Sequence, residues 1–327
     1  MLSQIAPGRE YWSGQHVLIT GGTGFLGQHF TRVLTGLGAS VVSASRSNGC
    51  DLRDPRQAQA TLCAARPGVV IHLAANQGGV AYQRTCPGTI LHDNVLMAVN
   101  TMEAARLAGV KRYVNLIAGC AYPGETPDGI LREEDIDAGP LHPSADNYGI
   151  SKRVALLQAK HYRAQFGMNV TSVVLANTYG PGDHFSTTRS HVVGALLRKF
   201  FEAVRTQAAE VVVWGRGVAE RDLLYVDDAV VGTLLAVELE PETDLLNIAT
   251  GIPVPVAEAA RTIARVIGYR GEIVFDDSKP EGPLKKTLDT SRMKQLLGWE
   301  PHTPLENGLR KTLRWLDEHH AQAFTDD

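Results

Sequence analysis

His16-Val17-Leu18-Ile19-Thr20-Gly21-Gly22-Thr23-Gly24-Phe25-Leu26-Gly27 opens on a short apolar run and closes on glycines at 21, 24 and 27. An apolar run of that length, bounded by glycine, reads as a buried strand. The helical pattern that follows, about Gly24 to Leu37, stops at Gly38. Strand, glycine loop and helix in that order suit a pyrophosphate. Residues without side chains let the ligand reach the backbone, and the helix N-terminus offers free amides and the positive end of its dipole.

Outward from this stretch the pattern repeats. Ser40–Ser45 reads as a strand, Pro55–Ala65 as a helix with proline at its start, and Val69–Ala74 as a buried strand. Thr89–Ala108 reads as a long helix, Arg112–Ile117 as a strand, Asn147–Phe166 as a helix and Val170–Leu175 as a strand. Strands alternating with helices imply βαβ units and a parallel sheet. The fold expected is α/β: a Rossmann-type doubly wound parallel sheet whose ligands sit at the carboxyl ends of the strands.

After Asn177 the regularity breaks. Gly180–Arg189 reads as loop, Val192–Thr206 as a basic helix and Glu210–Trp214 as a strand. Leu223–Val226 and Leu245–Ile248 read as strands returning to the main sheet around a helix at Asp227–Leu239. Val254–Ala321 reads as mostly helical, with a Pro/Gly-rich loop at Asp276–Leu284. The expected division is a dinucleotide-binding domain over 14–178, with a returning segment at about 223–250. A smaller, mostly helical substrate lobe is then built from 179–222 and 251–327.

The chain has 327 residues, 44% hydrophobic and 20% charged, with a net charge of −3. That is enough for a large core, and no basic field suits nucleic acid or an anionic membrane surface. No apolar run approaches the roughly 20 residues of a membrane span, and the start carries no apolar signal core. Cys50, Cys63, Cys86 and Cys120 show neither CxxC spacing nor a metal pattern with histidine, and read as free thiols. These features together imply a cytoplasmic protein.

Two further signals concern chemistry. The second strand ends in Ser43-Ala44-Ser45-Arg46-Ser47. An acid there would bind a ribose 2′-hydroxyl, whereas an arginine among hydroxyls suits a 2′-phosphate, so NADP(H) is the expected cofactor. Tyr148 and Lys152 stand four residues apart, one helical turn, on the same face. An ammonium beside a phenol favours phenolate and draws its pKa toward the range of a working acid or base.

With the glycine loop, His72-Leu73-Ala74-Ala75-Asn76 and Tyr148-x-x-x-Lys152 in order, the chain resembles the extended short-chain dehydrogenase/reductase superfamily. Cys120-Ala-Tyr-Pro123, Asn177-Thr-Tyr-Gly-Pro181, Ser190-His-Val192, Val211-Val-Val-Trp-Gly215, Arg221 and Phe275-Asp-Asp-Ser-Lys-Pro280 are similar to the GDP-L-fucose synthase family within it. The resemblance implies NADPH-dependent 3,5-epimerisation and 4-reduction of a GDP-linked 4-keto-6-deoxy sugar by a homodimer joined through the two long helices. It implies that Cys120 and His191 exchange protons at C3 and C5, as thiolate base and imidazolium acid. It implies that Tyr148 protonates O4 while Lys152 holds the nicotinamide ribose. The cofactor contacts implied are Gly21, Gly24, Phe25, Leu26, Gly27, Arg46, Asp51, Leu52, Leu73, Ala74, Ala75, Tyr148, Lys152 and Asn177. The implied substrate contacts are Asn177, His191, Lys199, Trp214, Arg221 and Glu281.

One position departs. The family reads Gly-Ser-Ser-Cys-Ile-Tyr-Pro where this chain reads Ile117-Ala118-Gly119-Cys120-Ala121-Tyr122-Pro123, so the catalytic serine aligns with Ala118. Losing such a donor typically costs about 10²–10³ in turnover. Three readings stay open: a homologue that no longer needs strong hydride transfer, a reductase with another donor such as a water beside Gly119, or an engineered change. The functions weighed are an epimerase/reductase, an epimerase without net redox, and a weakened NADP-binding protein.

Overall fold

The computed structural model describes residues 5–279 and 282–324. Six parallel strands form the central sheet, in the order Leu246–Ile248, Val170–Leu175, Arg112–Ala118, Val69–His72, His16–Thr20, Ser40–Ala44. The chain runs from His16–Thr20 outward to Ser40–Ala44, then crosses back to Val69–His72 on the other side. That reversal opens a crevice at the carboxyl ends of the two strands, where the glycine loop and Leu73–Ala75 face each other.

Every residue of Val69–His72 is buried, as are the five central residues of Arg112–Ala118. Helices therefore cover both faces, and the strands are apolar throughout rather than alternating. Pro87–Leu107, Asp146–Phe166 and Pro55–Ala65 cover one side, and Phe25–Gly36 and Val226–Leu239 the other. The last strand of the sheet, Leu246–Ile248, pairs with Val170–Leu175 as expected.

Leu223–Val226 does not return to the main sheet. The strand is Glu220–Tyr225, and it pairs with Asn177–Tyr179 and Pro253–Pro255 in a separate three-stranded sheet. Buried Asp222 holds it there, accepting hydrogen bonds from Thr250 N (3.0 Å), Thr250 Oγ1 (2.6 Å) and Gly251 N (2.9 Å). A second departure from the expected pattern is Glu272–Asp276, a strand parallel to Glu210–Trp214 inside the region read as mostly helical.

The smaller lobe has its own core. Val192–Thr206 turns Leu196, Leu197, Phe200 and Phe201 inward against Ala260 and Ile263 of Val256–Ile267 and against Leu309 and Leu316 of Leu305–Ala323. Phe25 and Leu26, at the start of the glycine-loop helix, pack against this second core. The lobe is thereby seated directly over the dinucleotide loop.

Candidate active site

Gly21 has φ +67°, and a Cβ on it would stand 2.9 Å from the amide nitrogen of Ala74. Glycine is required on both counts. A Cβ on Gly27 would meet Gly21 O at 2.4 Å, so the helix can lie on its own loop only without a side chain there. Gly24 caps the helix with no side-chain bond to its first amides, which leaves those donors facing the crevice. Thr20 Oγ1 pins the neighbouring strand, lying 2.8 Å from His72 Nδ1 and accepting from Leu73 N and Ala74 N at 3.2 Å each.

The cleft above this loop has a volume of about 710 Å³. All fourteen expected cofactor positions line it, together with Cys120, His191 and Arg221. Arg46 is exposed at its rim among hydroxyls: Thr23 Oγ1 and Ser47 Oγ are 3.0 Å apart, and Thr23 N donates to Ser45 Oγ at 3.3 Å. Asp51, the acid nearest this rim, is bound bidentately by Arg53 at 2.9 and 2.6 Å, which lowers its pKa to about 2. Arg53 also reaches Asp93.

Lys199, Trp214 and Glu281 stand apart from this group. Lys199 Nζ donates to Val212 O at 2.8 Å and lies 5.5 Å from the ring centre of Trp214, which is half exposed outside the cleft. Glu281 lies outside the described residues.

The helix Asp146–Phe166 brings Tyr148 and Lys152 to the end of strand Arg112–Ala118, and both are buried. Gly149 permits the approach, because a Cβ there would stand 2.3 Å from Cys120 O. Lys152 Nζ donates to Leu116 O at 2.9 Å and lies 5.3 Å from the ring centre of Tyr148. The expected depression of the tyrosine pKa is not found. Burial pushes Tyr148 well up, and nearby Cys120 adds to that, so the phenol is held protonated. Burial also lowers Lys152 to about 8.

Cys120 and His191 likewise differ from the expected thiolate and imidazolium. Burial raises the Cys120 thiol, against opposing pulls from Lys286 and Lys152. Burial lowers His191 to about 4, and Lys286 and His184 push the same way, so its ring is neutral at pH 7. His191 Nε2 is 2.9 Å from Gln77 Oε1, which makes Nε2 the protonated nitrogen and Nδ1 the acceptor.

Three cleft residues were not singled out from the sequence. Gln77 orients His191. Asp183 is buried with its carboxyl accepting from His184 N at 2.7 Å, and burial raises it to about 7. Lys286 lies beside Gly119. Only the folded chain shows what Gln77 faces. A hydrogen-bonded chain also links the loop of His191 to the cofactor side: Arg189 to Tyr82 Oη (2.9 Å), Tyr82 to Asn76 (2.9 Å), and Asn76 to Asp93 (3.0 Å).

A glycine-cradled crevice with a buried Tyr/Lys pair at the strand ends defines a dinucleotide-dependent enzyme acting beside a carbonyl or alcohol. The chain belongs to the NAD dependent epimerase/dehydratase family, whose model matches residues 17–249. Within that family it is similar along nearly its whole length to GDP-L-fucose synthases. The Escherichia coli K12 enzyme is 34% identical over 317 residues, covering 94% of this chain and 98% of that one. The NADP-bound GDP-L-fucose synthetase of Naegleria fowleri superposes with a TM-score of 0.85 at 27% identity, covering 94% of each chain. The GDP-mannoheptose C4 reductase of Campylobacter jejuni with NADP bound gives 0.82 at 25% identity, covering 93% of this chain and 98% of that one. The protein is an NAD(P)-dependent epimerase/reductase of this GDP-L-fucose-synthase-like kind.

Proposed function

We propose that the protein binds NADP(H) and a GDP-linked 4-keto-6-deoxy sugar, inverts the sugar at C3 and C5, and reduces C4. One observation carries the reading: Cys120, Tyr148, Lys152 and His191 line a single cleft whose far end is the glycine loop. The loop suits a dinucleotide because its amides are open and its glycines admit a pyrophosphate to the backbone. Arg46 and the hydroxyls around it suit a 2′-phosphate. When bound, the nicotinamide supplies the hydride.

The protein's own groups handle the protons. The keto group acidifies the C–H bonds at C3 and C5, and inversion needs one group to take a proton while another returns one from the opposite face. A thiol with a neutral imidazole holds the same number of protons as a thiolate with an imidazolium. The Cys120/His191 pair can therefore take one proton and give one from either form. Gln77 fixes the imidazole with Nδ1 as the accepting nitrogen. Tyr148, held protonated by burial, is the donor to O4, and Lys152, fixed by Leu116 O, holds the cofactor ribose beside it. On the substrate side Asn177 and Arg221 line the cleft, while Lys199 and Trp214 stand outside it.

Association as a homodimer completes the reading. Pro87–Leu107 and Asp146–Phe166 pack on each other and expose Leu91, Leu107, Ile150, Leu157 and Phe166.

Incubation with GDP-4-keto-6-deoxymannose and NADPH in deuterated water tests the function. Deuterium at C3 and C5 with NADPH oxidation is expected; the absence of both signals overturns the proposal. Ala118 favours a second reading, epimerisation without net redox, for which deuterium enters and NADPH is not consumed.

A further inference from the structure

Ala118 ends its strand and Gly119 begins the turn that carries Cys120, so neither position offers a hydroxyl. The space beside them is nonetheless filled. A Cβ at Gly119 would meet Lys286 Cε at 2.9 Å and Lys286 Nζ at 3.4 Å. The backbone of Lys286 is anchored from its next residue onward, where Thr287–Leu288 pairs with Ile130–Leu131. Its side chain enters the cleft lined by Ala118, Cys120, Tyr148 and His191. Among the described residues no hydrogen bond or ion pair engages its ammonium. The charged and titratable groups around it are Cys120, Arg221, His191 and His142, with Lys152 and Tyr148 beyond Cys120.

An ordinary surface lysine extends into water. This one is turned inward, over the bare backbone on which the reacting oxygen's partner is missing. We propose that Lys286 supplies to the sugar's keto oxygen the donor and positive charge that no side chain at 118 or 119 can supply. The proposal rests on the keto-sugar reading above. In enolisation the C–H bond breaks, its proton passes to one of the Cys120/His191 pair, and the electron pair moves onto the keto oxygen. In reduction a hydride adds to C4 from NADPH, which is oxidised, the C=O pair moves to O4, and the Tyr148 O–H gives its proton. Lys286 keeps its own protons in both steps and stabilises the oxygen as it gains charge. Gly119 belongs to the same arrangement, since a Cβ there would press on the lysine where it now lies.

Lys286→Met is compared with Ala118→Ser and the double variant, reading deuterium exchange, NADPH oxidation and NADPH affinity. Lys286→Met is expected to slow both reactions by about 10²-fold with NADPH affinity unchanged, and a serine at 118 is expected to restore at least about 10-fold. Unchanged rates, or a loss that serine does not restore, overturn the proposal. If the unaltered enzyme acts on no keto sugar, the functional reading fails by itself. Lys286 is then judged by alkylation of Cys120 with iodoacetamide against pH, located by peptide mass. The midpoint is expected to rise in Lys286→Met, and an unmoved midpoint overturns the placement of the charge.

Discussion

Gly149→Ala tests whether the Tyr helix and the Cys120 turn work as one rigid unit. The new methyl carbon would stand 2.3 Å from Cys120 O, 3.0 Å from Cys120 C and 2.9 Å from Leu141 Cδ1. Two of these atoms are backbone and cannot rotate away. Relaxing the shortest contact to an ordinary ~3.4 Å separates helix from turn by roughly 1 Å, a displacement that can cost about 10² in rate. Overpacking of this size costs about 1–3 kcal/mol of stability. The variant should therefore fold, melt several degrees lower, bind NADPH at the glycine loop as before, and lose about 10²-fold in both exchange and reduction. Gly88→Ala is the control, because nothing lies within 4 Å of its Cβ position. Stopped-flow NADPH oxidation and deuterium incorporation give the rates. A Gly149→Ala enzyme within twofold of the parent would refute the reasoning.

Three other outcomes follow from the geometry. Arg46→Ala should weaken NADPH binding by about 10-fold and leave NADH unaffected, since a charge-assisted bond at an exposed rim contributes roughly 1–2 kcal/mol; equal losses for both cofactors would remove Arg46 from the 2′-phosphate. Acid should destabilise the fold through its buried histidines. His72 is lowered to about 3 and His191 to about 4 from 6.5, so the unfolded chain binds more protons below pH 6.5, and stability is lost as pH falls from there toward 4. Asp183 has the opposite sign: raised from 3.8 to about 7, it contributes stability that is present below pH 4 and lost as pH rises through 7. Urea midpoints across pH 4.5–8 should show His72→Gln with a shallower acid slope and Asp183→Asn with a shallower loss near pH 7; unchanged slopes would contradict the burial account.

The sheet was legible because its signals are local. The run His16–Thr20, the glycines at 21, 24 and 27 and the apolar strand Val69–His72 each declare their state within a few residues. The pairing of Glu220–Tyr225 was not legible, because its apolar half would suit either sheet and buried Asp222 decides through Thr250 and Gly251. In the site, spacing pointed to Tyr148 and Lys152, whereas Cys120 and His191 were named only through the family resemblance. Their protonation was misjudged, because a neighbouring charge can be read from spacing while desolvation depends on everything packed around the group. Lys286 was missed for a related reason. It lies 166 positions after Cys120, next to a second lysine, with no pattern to tell a cleft residue from a solvated one.

The central claim is that Cys120 and His191 exchange protons with a keto sugar in the cleft that holds the dinucleotide. Mass and NMR analysis of GDP-4-keto-6-deoxymannose incubated with the enzyme in deuterated water tests it most directly, with Cys120→Ser and His191→Gln in parallel. The account predicts deuterium at both C3 and C5 with the parent enzyme and loss of exchange in each variant, with NADPH affinity retained. Exchange that persists in both variants, or sugar recovered without deuterium from the parent enzyme, would contradict it.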